Sequence, residues 1–124
     1  MRYNLSEIND LIRNRRTIYP EQFSERKVHK EQVELILQNA QWAPTHGNTQ
    51  PWRFHVFMDE SRQRLSQFLG KTYLELTPVD KQNDAKLAKM LRRPMISSVV
   101  IAVSMKRQVE EKILEIEEIE AVAC

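Results

Sequence analysis

Residues 41–57 read QWAPTHGNTQPWRFHVF, and this stretch decides the fold. Its centre, Pro44-Thr45-His46-Gly47-Asn48-Thr49-Gln50-Pro51, is the one pronounced loop signature in the chain. Two prolines bracket a glycine and several side chains that hydrogen-bond readily. Ahead of it, Lys30–Trp42 has helical periodicity, with Val33, Ile36, Leu37 and Ala40 predicted to face inward and Pro44 to stop the helix. After it, Arg53–Met58 alternates Phe54, Val56 and Met58 against Arg53, His55 and Phe57, the pattern of a strand. A helix, a stiff polar loop and a strand therefore follow one another within thirty residues.

Working outward, Asn4-x-x-Glu7 is a capping-box pattern, and Ile8, Leu11 and Ile12 share one face of a helix running to about Arg15. Pro20 disfavours the helical region at Tyr19, so residues 17–20 break that helix and 20–28 read as loop. On the C-terminal side, Asp59 is predicted to cap a helix carrying Leu65, Phe68 and Leu69, with Gly70 ending it. Residues 71–81 carry no clear pattern. Asp84–Arg93 reads as a short helix ended by Pro94. Ser97–Met105 is a β-branched apolar run, predicted to be a strand buried on both faces. Val109, Ile113, Ile116, Ile119 and Val122/Ala123 then recur at helical spacing, with no stop signal before Cys124. The order of elements implies an α+β domain, and two strands alone do not make an independently stable sheet. Strands from another chain, or from residues beyond these, are expected to complete it.

Composition sets bounds on function. The chain has 124 residues, 29% of them charged, for a net charge of +2, so residues 1–124 read as a single domain with little support for nucleic acid binding. Two glycines stand where average usage would give about nine, which argues against a glycine-rich phosphate loop. One cysteine, Cys124, permits no internal disulfide. No run approaches the ~18 apolar residues of a membrane span, and the start lacks a signal-peptide core, so the expectation is a cytoplasmic protein with no membrane partner. Residues 109–124 hold six glutamates against one lysine, which reads as a solvated helix face or as an acidic surface for a basic partner.

Two groups of residues are candidates for chemistry. Arg15-Arg16-Thr17 stands at a helix end, where cations complement the helix dipole; the same residues also suit an anion. In the loop, His46, Asn48 and Gln50 offer both donors and acceptors, as a flat ring with mixed hydrogen-bonding edges requires. Trp52 opens a strand and reads as core, whereas Trp42 suits either packing or a pocket wall. The three histidines lack metal-ligand spacing, and Ser97, Ser98 and Ser104 have no nucleophile-elbow context.

A helix ending IRNRRT, followed by a helix ending QWAPTHGNTQPWRFHVF, resembles the FMN-dependent nitroreductase family, in particular a small subgroup with an APxHxxxQPW loop. The motifs cover residues 8–58; beyond Asp59 the likeness rests on element order and the SSVVIAVSM strand. The resemblance implies helices around a central, mainly antiparallel sheet, in a homodimer with flavin at the interface. It implies hydride transfer from NADH or NADPH through FMN to nitroaromatics, quinones or similar small acceptors, by a ping-pong mechanism. No side chain need act as a nucleophile, because the flavin carries the reaction. Carried over residue by residue, Arg15, Arg16 and Thr17 match positions that hold FMN. His46, with Trp42, Thr45 and Asn48, matches loop positions that approach the flavin, some from the partner subunit. Two departures stand out: Tyr19 replaces an arginine used for phosphate, and the family fold continues past Cys124. The chain therefore reads as the first part of a longer fold, truncated on its C-terminal side. The alternative is a non-catalytic fragment that folds or dimerises without flavin turnover.

Overall fold

The structure, a computed structural model, describes residues 3–108 and 112–124. Helix α1 spans Leu5–Asn14, and Asn4 Oδ1 caps it by accepting from the N–H groups of Ser6 (3.1 Å) and Glu7 (3.4 Å). It buries no residue, and its apolar face, with Leu11 76% and Ile12 69% accessible, lies open. A short 3₁₀ turn at Pro20–Gln22 follows, and then α2, Lys30–Ala40. Val33 is buried there as its spacing predicts, and Leu37 and Ala40 are half-buried. Ile36 is exposed: α2 packs through a stripe narrower than its apolar pattern suggests. The helix also stops two residues earlier than predicted. Trp42 and Ala43 fall in a tight turn, their N–H groups donating to the carbonyls of Asn39 and Ala40.

Strand β1, Trp52–Met58, pairs antiparallel with β2, Val99–Met105, from Trp52 opposite Met105 to Met58 opposite Val99. One further bond, Lys106 N–H to Pro51 carbonyl at 2.7 Å, extends the pairing to the end of the polar loop. Among the described residues the sheet has these two strands only. That corrects the expectation that residues 97–105 are buried on both faces: Ala102 and Ser104 on one face of β2 and Val103 on the other are exposed, so neither face is fully covered. Ser97 is not in the strand; its N–H and hydroxyl both donate to the Arg93 carbonyl and close the preceding helix.

Three other boundaries differ from expectation for identifiable reasons. Asp59 does not cap α3 (Ser61–Leu76); it adopts a left-handed conformation (φ 48°) in the turn, and the Ser61 hydroxyl bonds the Met58 backbone instead. Gly70 does not end α3 but sits buried in mid-helix, against α4 (Asp84–Ile96). A Cβ there would lie 2.6 Å from Leu91 Cδ2, so the glycine lets two helices approach closely. Ser66 reinforces that seam by donating to the Leu91 carbonyl at 2.7 Å. Pro94 is inside α4 rather than beyond it. The helix end beyond it is held from outside: the Arg62 guanidinium donates to the carbonyls of Met95 and Ser97, which have no partner within the helix.

Helix α5 spans Glu115–Ala123. Ile113 and Ala121 are buried, while Ile116 and Ile119 remain exposed; Val109 lies outside the described residues. Glu118, in the centre of the glutamate-rich face, is 1% exposed, which corrects the picture of that whole face as solvated. Its carboxylate accepts from the Arg107 guanidinium and from the Gln108 N–H, just past β2. Arg107 also donates to the Ile113 carbonyl at 2.9 Å. The start of α5 is thereby fastened to the end of the sheet. No helix among the described residues is long and apolar enough to cross a membrane.

Candidate functional site

The loop at residues 44–51 is held in a conformation that its composition permits and its neighbours enforce. Gly47 (φ 59°), Asn48 (φ 54°) and Gln50 (φ 45°) all take left-handed backbone, which is costly for the two residues that carry a Cβ. The Thr45 hydroxyl meets the Thr49 hydroxyl at 3.1 Å and accepts from the Gln50 N–H at 3.3 Å, closing the turn from within. Arg53 donates to the Gln50 carbonyl at 3.0 Å, tying the turn to the first residues of β1. Pro51 and Trp52 are buried and anchor its C-terminal end, so Trp52 is core as expected.

The two sides of the loop face different surroundings. One side lies against the start of α5: a Cβ on Gly47 would come 2.7 Å from Cδ1 of Ile113, two residues before that helix. His46 Nδ1 lies 3.1 Å from Glu117 Oε1 on α5 itself. Glu117 in turn accepts from the Leu114 N–H at 2.8 Å. That backbone bond and, after it, the His46 contact hold the Glu117 carboxyl below the usual carboxylate range.

The other side borders an open cleft of about 520 Å³ lined by Gln38, Gln41, Trp42, Ala43, Thr45, Asn48 and Gln50. Trp42 is 88% accessible, its indole held out as one wall rather than packed in the core. Three of the predicted site residues, Trp42, Thr45 and Asn48, are thus brought together. The structure adds Gln38 and Gln41, three apart at the end of α2, a spacing that puts both amides on the loop side of the helix. Their position one turn ahead of the motif was the available signal.

Arg15, Arg16 and Thr17 do not line this cleft. Arg16 donates to the carbonyls of Arg13 (2.8 Å) and Arg15 (2.9 Å), so one guanidinium nitrogen satisfies the end of α1. Arg15 reaches the Thr17 hydroxyl at 3.5 Å and borders a shallow, mostly apolar depression with Leu11, Ile12 and Asn14. Each guanidinium keeps further donors for an anion. Near Tyr19 the fold supplies a cation that the local sequence lacks. The Arg93 guanidinium lies 5.7 Å from the Tyr19 ring centre and pairs with Glu21 at 3.0 Å, which lowers the Glu21 carboxyl pKa. Sequence reading missed Arg93 because it is remote along the chain and joins the N-terminal segment only through α4. His55 meets the Ser104 hydroxyl across the sheet at 3.2 Å.

Residues 12–123 match the family model described as Nitroreductase family. Two curated relatives, a nitrobenzene nitroreductase of Ectopseudomonas oleovorans and a chloronitrobenzene nitroreductase of Comamonas testosteroni, are each 41% identical over 66 residues. Those residues make up 53% of this chain and 28% of either relative. The crystal structure of a nitroreductase-like family protein from Bacillus cereus superposes with a TM-score of 0.77 at 23% identity. It covers 99% of this chain and 60% of that one, so the chain spans less than two thirds of that structure, and the match to the two curated relatives takes in 28% of each.

Proposed function

This chain belongs to the nitroreductase family, and from that membership we propose that it forms the loop-bearing part of a flavin-dependent oxidoreductase. The observation that carries the reading is the cleft beside residues 44–51, where four side-chain amides and an exposed indole surround a rigid turn. Gln38, Gln41, Asn48 and Gln50 each offer a donor and an acceptor, and together they match the mixed hydrogen-bonding edge of an isoalloxazine ring. The Trp42 face suits the ring's flat surface. The donor set therefore fits FMN.

When bound, FMN supplies the hydride chemistry, taken from NADH or NADPH and given in a ping-pong sequence to a nitroaromatic, quinone or similar small acceptor. The protein's part is binding and orientation. Arg15 and Arg16, with the Thr17 hydroxyl, would hold the phosphate or stabilise negative charge on the reduced ring. The strained turn fixes Thr45 and Asn48 against rotation as the ring docks. Because Arg15–Thr17 lie outside the cleft of their own chain, the reading places the flavin between two copies, each lending its α1 end to the other's loop. The accessible Leu11, Ile12 and Trp42 suit burial in such a homodimer. We place this activity in the cytoplasm.

Titration of the purified chain with FMN, followed by flavin fluorescence and sedimentation, tests the reading. Saturable binding by a dimer, with bleaching on anaerobic addition of NADH or NADPH, is expected. Arg16→Ala should weaken FMN binding about tenfold, one charge-assisted bond to phosphate. A colourless chain that never binds FMN would instead identify a flavin-free member of the family.

A further inference from the structure

We propose that Glu117 is a positioning residue for His46: its carboxylate holds the imidazole in the Nδ1–H form and leaves Nε2 as the ring nitrogen offered to a ligand. The contact itself is geometric. His46 Nδ1 lies 3.1 Å from Glu117 Oε1, although 71 residues separate them. An ionised carboxylate only accepts hydrogen bonds, so Nδ1 must donate, and in the neutral ring Nε2 then carries the lone pair. Glu117 is ionised at neutral pH, because the Leu114 N–H and His46 both favour its charged form.

The carboxylate is not free to swing away. Its other oxygen, Oε2, accepts from the Leu114 N–H at 2.8 Å, at the first turn of α5. That turn is itself fastened: Glu118 is buried on Arg107 and Gln108, Arg107 holds the Ile113 carbonyl, and Ile113 fills the space beside Gly47. Both the helix that presents Glu117 and the turn that presents His46 are therefore fixed with respect to each other. Among the described residues, His46 Nε2 has no protein partner. An orienting carboxylate of this kind sets which nitrogen of a histidine is available and in which direction it acts. With Nδ1 committed, neutral His46 is a hydrogen-bond acceptor toward whatever meets the loop, so its complement is a ring N–H or a hydroxyl. That last step rests on the flavin reading of the loop; the ring's tautomer does not.

The test uses the full chain, labelled with ¹⁵N, and two-bond ¹H–¹⁵N correlation spectra of the histidines at about pH 8, above the ordinary histidine range. His46 is expected to show the Nδ1–H pattern. In Glu117→Gln the amide oxygen retains the Leu114 N–H, which turns the amide NH₂ toward His46. The ring must then accept at Nδ1, so its signals should change to the Nε2–H pattern, while those of His29 and His55 stay as they are. A wild-type spectrum of the Nε2–H type overturns the proposal, whether or not the variant folds. An unchanged pattern in a folded variant overturns it equally. In FMN titration of the same variant, a roughly three- to tenfold loss of affinity, the effect of one misdirected hydrogen bond, would show that His46 reaches the flavin although it lies on the α5 side of the loop and outside the Trp42 cleft. A changed tautomer with unchanged FMN affinity would uphold the Glu117–His46 pairing and remove His46 from the flavin site.

Discussion

Replacing Glu118 with alanine should destabilise the protein more than any other single change on α5. The side chain is 1% exposed and its carboxylate serves two donors, the Arg107 guanidinium and, through both oxygens, the Gln108 N–H. Removing one partner of a buried ion pair costs about 3–5 kcal/mol when the remaining charge is stranded. Here the Arg107 side chain keeps about a third of its surface in water, at 36%, and retains the Ile113 carbonyl, so solvent relieves part of that penalty. The expected loss is about 2–4 kcal/mol, from a total stability on the order of 10 kcal/mol for a domain of this length. Glu118→Gln keeps the volume and an acceptor for Gln108 and should lose only about 1–2 kcal/mol. Urea unfolding followed by far-ultraviolet circular dichroism measures both, and the slope of the transition should be unchanged. A double-mutant cycle with Arg107→Ala should give a coupling of about 1–3 kcal/mol. The reasoning fails if Glu118→Ala falls within about 0.5 kcal/mol of wild type, as an exposed glutamate would, or if the two substitutions simply add.

Other perturbations probe the seams that hold the site. Gly70→Ala gains about 1 kcal/mol of helix propensity but forces Leu91 aside, an overpacking cost of about 1–3 kcal/mol; a net loss of roughly 1 kcal/mol in chemical denaturation is expected, and a stabilised variant would refute the close approach. Gly47→Ala must adopt φ near 59° and displace buried Ile113, so it should cost about 1–3 kcal/mol and disturb the His46 resonances as well. For pH, Arg93 holds the folded-state pKa of Glu21 below its ordinary value of 4.5. That contribution is present above the unfolded value and lost as pH falls through the folded one. The stability difference between wild type and Arg93→Met should therefore narrow on going from about pH 7 to about pH 3, and a difference that widens would contradict the pairing.

Local pattern was enough for much of this protein. Helix α2, strand β1 and the turn between them follow from periodicity, two prolines and Gly47, because each depends on neighbours within a few residues. The buried Val33 and Trp52 and the Asn4 cap were legible for the same reason. Motif order alone pointed to the family, and residues 12–123 match it. Tertiary structure decided what depends on partners remote in the chain. Gly70 looks like a helix stop until Leu91 is seen against it, and Pro94 looks like a terminator although the helix runs on to Ile96, its end held by Arg62. The acidic stretch after residue 109 shows the division most clearly. In sequence its glutamates are interchangeable, and folding gives two of them separate duties: Glu118 is buried on Arg107 to anchor the helix, and Glu117 grips His46 in the loop. A carboxylate's role is set by the donors within about 3 Å of it, and only the folded chain brings those donors there.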